Sequence, residues 1–387
     1  MVGGDYGALG IVRSLGRHHI PVWTLTDRYR LAGFSRYSTR TLRWPECEEG
    51  LQLEFLLNLN REHGLDGWAI FPVGDEHAAF LARNHNLLEQ SFRMTTPCWE
   101  IMRWAYDKRL TYRLASDLGL TCPATFYPRN REELAALECG FPVILKPAFK
   151  QAINRLTRDK AWLAKDRESL LRRYEEAARL IDPSLIMVQE MIPGGGDCQF
   201  SYAGLYLDGS PFASLVARRT RQFPIDFGRA SSFVETLEDE KIELTAKQLL
   251  KAIRYTGLVE VEFKYDTRDK TYKLLEINPR IWAWHTLGRR AGVDFPYLLW
   301  QYMQNRPSSE VHANPGETWI HMALDIPAAV SELWHGRLTP RAYFKSIADR
   351  PEHAVFAKDD PLPAFAEIPL MLRSKFVFQR RRDREAR

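Results

Sequence analysis

Two short segments, Val259-Glu260-Val261-Glu262-Phe263 and Leu275-Glu276-Ile277-Asn278-Pro279-Arg280, constrain this chain more than anything else in it. Between them, residues 264–273 pass from alternating apolar and polar positions into a polar turn cluster and back, the pattern of a β-hairpin. A turn centred near Asp269 sets Glu262 opposite Glu276, with Asn278 two residues on and pointing to the same side. Like charges directly opposite on a ladder repel, so the pair wants a cation between them. Hard oxygen ligands suit magnesium, which keeps waters and completes its shell with substrate phosphates. The bland alternative is a pair of solvated carboxylates on an outer sheet face. Asn-Pro-Arg directly after a buried-looking strand is not ordinary surface chemistry, so the hairpin predicts a metal and nucleotide site.

At 387 residues the chain suits two or three domains. A composition 45% hydrophobic and 27% charged, without an apolar run long enough to span a bilayer, is that of a globular protein in water. The expected location is the cytoplasm: the start lacks the basic stretch and apolar run of a signal peptide, and the five cysteines are odd in number and scattered. That spacing argues against a zinc or disulfide framework. A net charge of +5 does not imply nucleic acid, and much of the surplus lies in the last fifteen residues.

The glycine-rich start, 3–10, reads as a turn entering a helix through Leu15, followed by a strand at 20–25, a helix near 51–59 and a strand at 68–73. Alternation of this kind predicts a parallel α/β layer over residues 1–105. Only Met1 and Val2 are left for a first strand, so the expectation is a native start upstream or an unusually short strand. The glycine spacing does not match G-x-G-x-x-G; a turn that lets the helix pack closely is the better reading. A second region, 106–305, is α+β in character, with a helix at 110–118, strands at 141–147 and 185–190, and a hairpin of 199–207 with 212–218 turning at Asp208-Gly209. It divides at 192 into a subdomain that clamps nucleotide, 106–192, and one that holds metal and acceptor, 193–305. Residues 306–387 form an extension with a weak helical pattern at 327–333.

Taken in order, Asp107-Lys108, Val143-Ile144-Leu145-Lys146-Pro147, Val188-Gln189-Glu190-Met191-Ile192-Pro193-Gly194 with Asp197, Glu262, and Glu276-Ile277-Asn278-Pro279-Arg280 resemble the ATP-grasp superfamily. Within it, the resemblance is to the carboxylate–amine ligases related to the large subunit of carbamoyl-phosphate synthase, over roughly residues 1–305. The implied fold is an ATP-grasp body behind an N-terminal parallel α/β domain. By the same resemblance, Lys108 and Lys146 contact nucleotide phosphates, and the backbone of Gln189, Glu190, Met191 and Ile192 holds the adenine edge. Asp197 takes the ribose; Glu262, Glu276 and Asn278 carry Mg2+, with Mn2+ as a substitute; and Arg280 steadies the transferred phosphoryl group. Arg218, Arg219, Arg221 and Arg229 fall where the family contacts an acceptor carboxylate, and arginine forks suit that task. Taken alone, Lys108 reads as a surface lysine and the arginines as a solvated basic turn. Lys146 resists such a reading, because a charge ending an apolar strand is costly unless paired.

Two departures matter. Residues 148–155 contain no glycine where the family commonly places a glycine-rich phosphate loop, so Lys150, Asn154, Arg155 or Lys160 are expected to assist. Three residues after Arg280, where carbamoyl-phosphate synthases have a second arginine, stands Ala283, which argues against bicarbonate as acceptor. Trp282, Trp284 and His285 read as core or as an acceptor pocket.

The resulting expectation is an ATP-dependent ligase that joins a small carboxylate to an amine through an acyl-phosphate, releasing ADP and phosphate. It acts without nucleic acid and, as many relatives do, as a homodimer. The alternatives are a nucleotide-binding regulator without turnover, or a carboxylase or kinase using the same phosphoryl transfer. Residues 368–382 read as a solvated tail, with weak contact to a membrane surface as the other reading.

Overall fold

A computed structural model describes residues 3–26, 29–149, 154–225, 230–305 and 311–385, with the side chains of Arg158 and of residues beyond Ser374 left aside. Met1, Val2, Lys150 and Arg229 thus lie outside the described residues. The N-terminal region holds two parallel strand pairs, Val22–Thr26 with Ser38–Arg43 and Ala69–Ile70 with Arg93–Met94, alternating with helices at Tyr6–Arg17, Glu49–His63 and Asp75–Arg83. The glycines of the first helix serve close packing: a Cβ on Gly10 would sit 2.5 Å from His285 Nε2.

An antiparallel sheet follows, ordered Thr125–Phe126, Ile186–Glu190, Val143–Pro147, Trp162–Ala164. The larger sheet runs Thr271–Asn278, Gly257–Asp266, Gln199–Leu207, Ser210–Phe223, Ala230–Leu237, Thr318–Ile320, Glu352–His353, with Val311–His312 beside Ser210–Phe223. Asp208 and Gly209, both at positive φ (48° and 80°), make the two-residue turn that suits the right-handed twist of a hairpin. One face of this sheet packs on the Glu240–Ala252 helix, through Val259, Val261, Phe263 and Leu274. The opposite face, with Ala203, Leu205, Leu215 and Leu258, joins the first helix, Trp282, Trp284 and Phe295 in one core. Trp282 and His285 are therefore core residues, the imidazole lying 2.9 Å from the Gly7 carbonyl.

The final segment departs most from expectation. It adds three strands to the large sheet, and residues Leu362–Glu385 are helical where a solvated tail was expected. Asp360 is buried against the N-terminal layer, accepting from Arg13 Nε (2.9 Å), Ser35 Oγ (2.6 Å) and the Arg36 N–H (2.9 Å). Arg13 also donates to the Asp360 carbonyl at 2.7 Å. Hydropathy shows none of this, because both partners are charged and 347 positions apart. Removing one member of a buried ion pair strands the other, so Asp360→Ala is expected to cost about 3–5 kcal/mol. A urea midpoint equal to that of the parent protein would show that this contact does not hold the segment in place.

Candidate functional site

The hairpin pairs Glu262 with Glu276 and Glu260 with Asn278. A bulge makes this arrangement possible. The partner of Phe263 is Leu274 while that of Glu262 is Glu276, so Leu275 is an extra residue. It switches the alternation, letting Leu274 and Ile277 enter the core while Glu276 and Asn278 line a cavity of about 1030 Å3. Leu275 in turn is pinned through its carbonyl, which accepts from Tyr112 Oη at 2.5 Å.

The Asn278 amide nitrogen donates to Glu260 Oε2 (3.1 Å) and Glu262 Oε1 (2.9 Å). Two carboxylates can be satisfied only by the NH2 end, which fixes the amide orientation and leaves Oδ1 on the side of Arg280 Nη2, 3.4 Å away. Glu260, which sequence reasoning passed over as a site residue, is buried and also accepts from Ser201 Oγ (2.9 Å) and Trp284 Nε1 (3.2 Å). Burial and the Glu262 carboxylate push its carboxyl up to about 7. The signal was there in the strand alternation, which puts 260 and 262 on one face.

Cations converge from other segments. Lys108, in the first turn of the Lys108–Asp117 helix, places Nζ 3.1 Å from Glu276 Oε2. Burial alone would raise the Glu276 carboxyl, but Lys108, Lys160 and Lys146 hold it well below the usual carboxylate range. Burial also works against the Lys108 ammonium, which Glu276 nevertheless keeps raised. Lys146, on the Val143–Pro147 strand, is 3.3 Å from Tyr112 Oη; burial and the Lys108 charge bring it down to about 7, against the pull of Glu276. Arg280 donates to Asp75 Oδ1 at 2.6 Å and to the Ile281 carbonyl at 3.0 Å. Asp75 opens a helix of the N-terminal layer, a contact that no local pattern announces.

The same cavity is lined by Gln189, Glu190, Met191, Ile192, Asp197 and Arg219. Gln189 is buried and donates to Thr125 Oγ1 at 2.7 Å. The Met191 N–H is already engaged by the Pro142 carbonyl (3.2 Å) and the Glu190 N–H by that of Ala124 (2.8 Å), so this backbone is not an open edge along its length. The Glu190 side chain bonds Arg268 and Lys273 (3.3 Å). Arg219 reaches Glu262 Oε2 at 3.5 Å.

Three expected residues lie elsewhere. Arg218 alternates to the other face of its strand and pairs with Glu235. This corrects its assignment to the acceptor site. Arg155 pairs with Glu176 at 2.5 Å, and Asn154 caps a helix by accepting from the Thr157 N–H at 3.0 Å, so of the residues expected to replace a glycine loop, Lys160 is the described one that lines the cavity. Arg221 lines the cavity but forms a bidentate pair with buried Asp325 at 2.8 and 2.9 Å. Glu332, Arg337 and Leu338, from the final segment, complete the wall.

Among the described residues no group of three His, Cys, Asp or Glu side chains forms a ready cation cage. Glu262, Glu276 and Asn278 offer two carboxylates and an amide oxygen instead, a partial oxygen shell of the kind magnesium completes with water and phosphate.

A family model described as "ATP-grasp in the biosynthetic pathway with Ter operon" matches residues 212–322. The chain is 28% identical over 250 residues to a D-aspartate ligase of Enterococcus faecium (strain Aus0004), an alignment covering 59% of this chain and 57% of that protein. It is 24% identical over 195 residues to the arginine-specific carbamoyl phosphate synthase large chain of Geobacillus stearothermophilus, covering 48% of this chain and 18% of the other. The chain thus spans little more than half of the first relative and far less of the second. Among solved structures, an L-amino acid ligase from Bacillus licheniformis superposes with a TM-score of 0.63 at 18% identity, over 82% of this chain and 77% of that one. A biotin carboxylase from Campylobacter jejuni gives the same TM-score at 18% identity, over 82% and 73%. These likenesses show the fold.

The Lys146 environment makes a measurable claim. In 13C spectra of the lysine side chains, Lys146 Cε is expected to titrate near pH 7 rather than near 10.5. Glu276→Gln removes a charge that raises the midpoint and should lower it; Lys108→Met removes one that depresses it and should raise it. A midpoint near the ordinary lysine value would overturn this account of the site.

Proposed function

From the premise that this chain is an ATP-grasp protein related to carbamoyl-phosphate synthase large chains, we propose that it is an ADP-forming carboxylate–amine ligase. The observation that carries the reading is the opposition, in one cavity, of the Glu262, Glu276 and Asn278 oxygens to the Lys108, Lys146 and Arg280 cations. Two acids, an amide, two ammonium groups and a guanidinium suit phosphoryl transfer, whose catalysis is mostly positioning and charge neutralisation.

In this proposal the adenine lies at the 189–192 segment, with contacts from those backbone groups not already engaged, and Asp197 meets the ribose. Lys146 and Lys108 take the phosphates, assisted by Lys160. Glu262, Glu276 and Asn278 Oδ1 would hold Mg2+, or Mn2+ in its place, which when bound supplies positive charge to the phosphates. The acceptor carboxylate attacks the γ-phosphorus and ADP leaves with the bridging oxygen, giving an acyl-phosphate. The amine then attacks the acyl carbon, inorganic phosphate departs, and the amine loses a proton. Arg280 and Arg219 steady the negative charge at the transferred group. The body divides as 106–192 and 193–305 around the nucleotide, behind 1–105. Five free thiols and the need for ATP favour the cytoplasm.

ADP release from Mg-ATP, measured against pools of carboxylic acids and amines, should require both partners. Glu276→Gln and Asn278→Ala should each lower it on the order of 10²–10³-fold or more with the fold intact. Full turnover in both would refute the assignment of the oxygen set, and nucleotide binding without turnover under any pool would favour a regulator. Because the Lys146 cation is what attracts phosphate, Mg-ATP affinity is expected to weaken as pH rises through about 7, and Lys146→Met should remove that component of the pH dependence. An unaltered pH profile in calorimetry of the variant would exclude Lys146 as its source.

A further inference from the structure

The last helix, Leu362–Glu385, has apolar residues on both sides over its first three turns. Pro363 and Glu367 are buried against the protein, and Ala364 and Leu370 pack on its core. The other side, Leu362, Phe365, Ile368 and Leu372, is more than half exposed, with Phe365 at 76%. The spacing of three, three and four residues places these four on one face. A helix apolar all round is normally enclosed, so this face is made for a covering. The same segment exposes Ile326, Val330 and Trp334, four residues apart on the helix Met322–Trp334, with Trp334 at 88%.

The occupant must match charge as well as apolarity. The last fifteen residues, continuous with the exposed face, contain seven arginines and lysines against two acidic residues, which accounts for the whole surplus of the chain. A second copy would bring the same positive charge to the contact. An anionic bilayer offers apolar depth and negative headgroups together, and an apolar face followed by a polybasic run supplies the two signals that stable interfacial binding requires. Among the described residues no helix is long and apolar enough to cross a membrane.

We propose that the C-terminal helix lies on an anionic membrane surface, its 362, 365, 368 and 372 face in the interface and its basic end against the headgroups. The proposal is independent of the ligase reading. Sedimentation of the full chain with vesicles tests it. Binding is expected to phosphatidylglycerol-rich vesicles and not to pure phosphatidylcholine, and to fall as salt is raised. Phe365→Ser with Leu372→Ser should abolish it while leaving ATP binding unchanged as a control of folding. Arg380→Gln, Arg381→Gln and Arg382→Gln should each weaken it by roughly fivefold. No binding to anionic vesicles, or equal binding by the Phe365→Ser/Leu372→Ser protein, overturns the proposal. So does a dimer in solution that this double substitution dissociates without any vesicle binding, which would make a second copy the occupant.

Discussion

Everything at the site depends on a charge problem set by one hairpin. Glu260, Glu262 and Glu276 share the cavity face of two paired strands, where their mutual repulsion and desolvation would be prohibitive without compensation. Compensation comes from cations that belong to neither strand. Lys108 enters from a helix start, Lys146 from the end of a strand in the other sheet, and Arg219 from a neighbouring strand. Each unit is electrostatically incomplete by itself, and the cavity exists where they meet.

The same logic explains which groups shift and in which direction. Glu276, facing three lysines, stays ionised, whereas Glu260, enclosed with another carboxylate, is pushed upward. Lys146, beside Lys108, yields where Lys108, in contact with Glu276, does not. The cavity is thereby graded in charge, from the carboxylates of the hairpin to the lysines that face them. Arg280 is held ready by Asp75, so the N-terminal layer takes part in the site through one carboxylate as well as supporting it. The final segment ties that layer down through Asp360 and contributes Glu332 and Arg337 to the cavity wall.

Much of this was legible from the chain. The hairpin itself and the 199–207 strand follow from alternation and turn chemistry, which act between neighbours; the expected pairing of Glu262 with Glu276 is found, but the Leu275 bulge brings it about. The residues whose placement the sequence left open share a different character. Arg218 and Arg219 look interchangeable in a basic run, yet strand parity sends one to Glu235 and the other to Glu262. Trp282 and Trp284, two residues apart, are both buried, while Trp284 also bonds Glu260 from the cavity wall. The order of the C-terminal segment escaped because it rests on buried ion pairs, which resemble solvent-exposed charges in a sequence.

By itself, the sequence determined the local chemistry: an acid, acid, amide and arginine set on a hairpin, two lysines ahead of it, and an α/β layer before an α+β body. Those features rest on side-chain alternation and on groups a few residues apart, where covalent geometry fixes the distance. Only the tertiary structure decided that Leu275 bulges to turn Glu276 into the cavity, that Asp75 grips Arg280, that Asp360 anchors the last segment, and that Phe365 and Leu372 face outward. The reason is physical: these outcomes depend on which distant surfaces exclude water together, and contacts across hundreds of residues leave no periodicity along the chain.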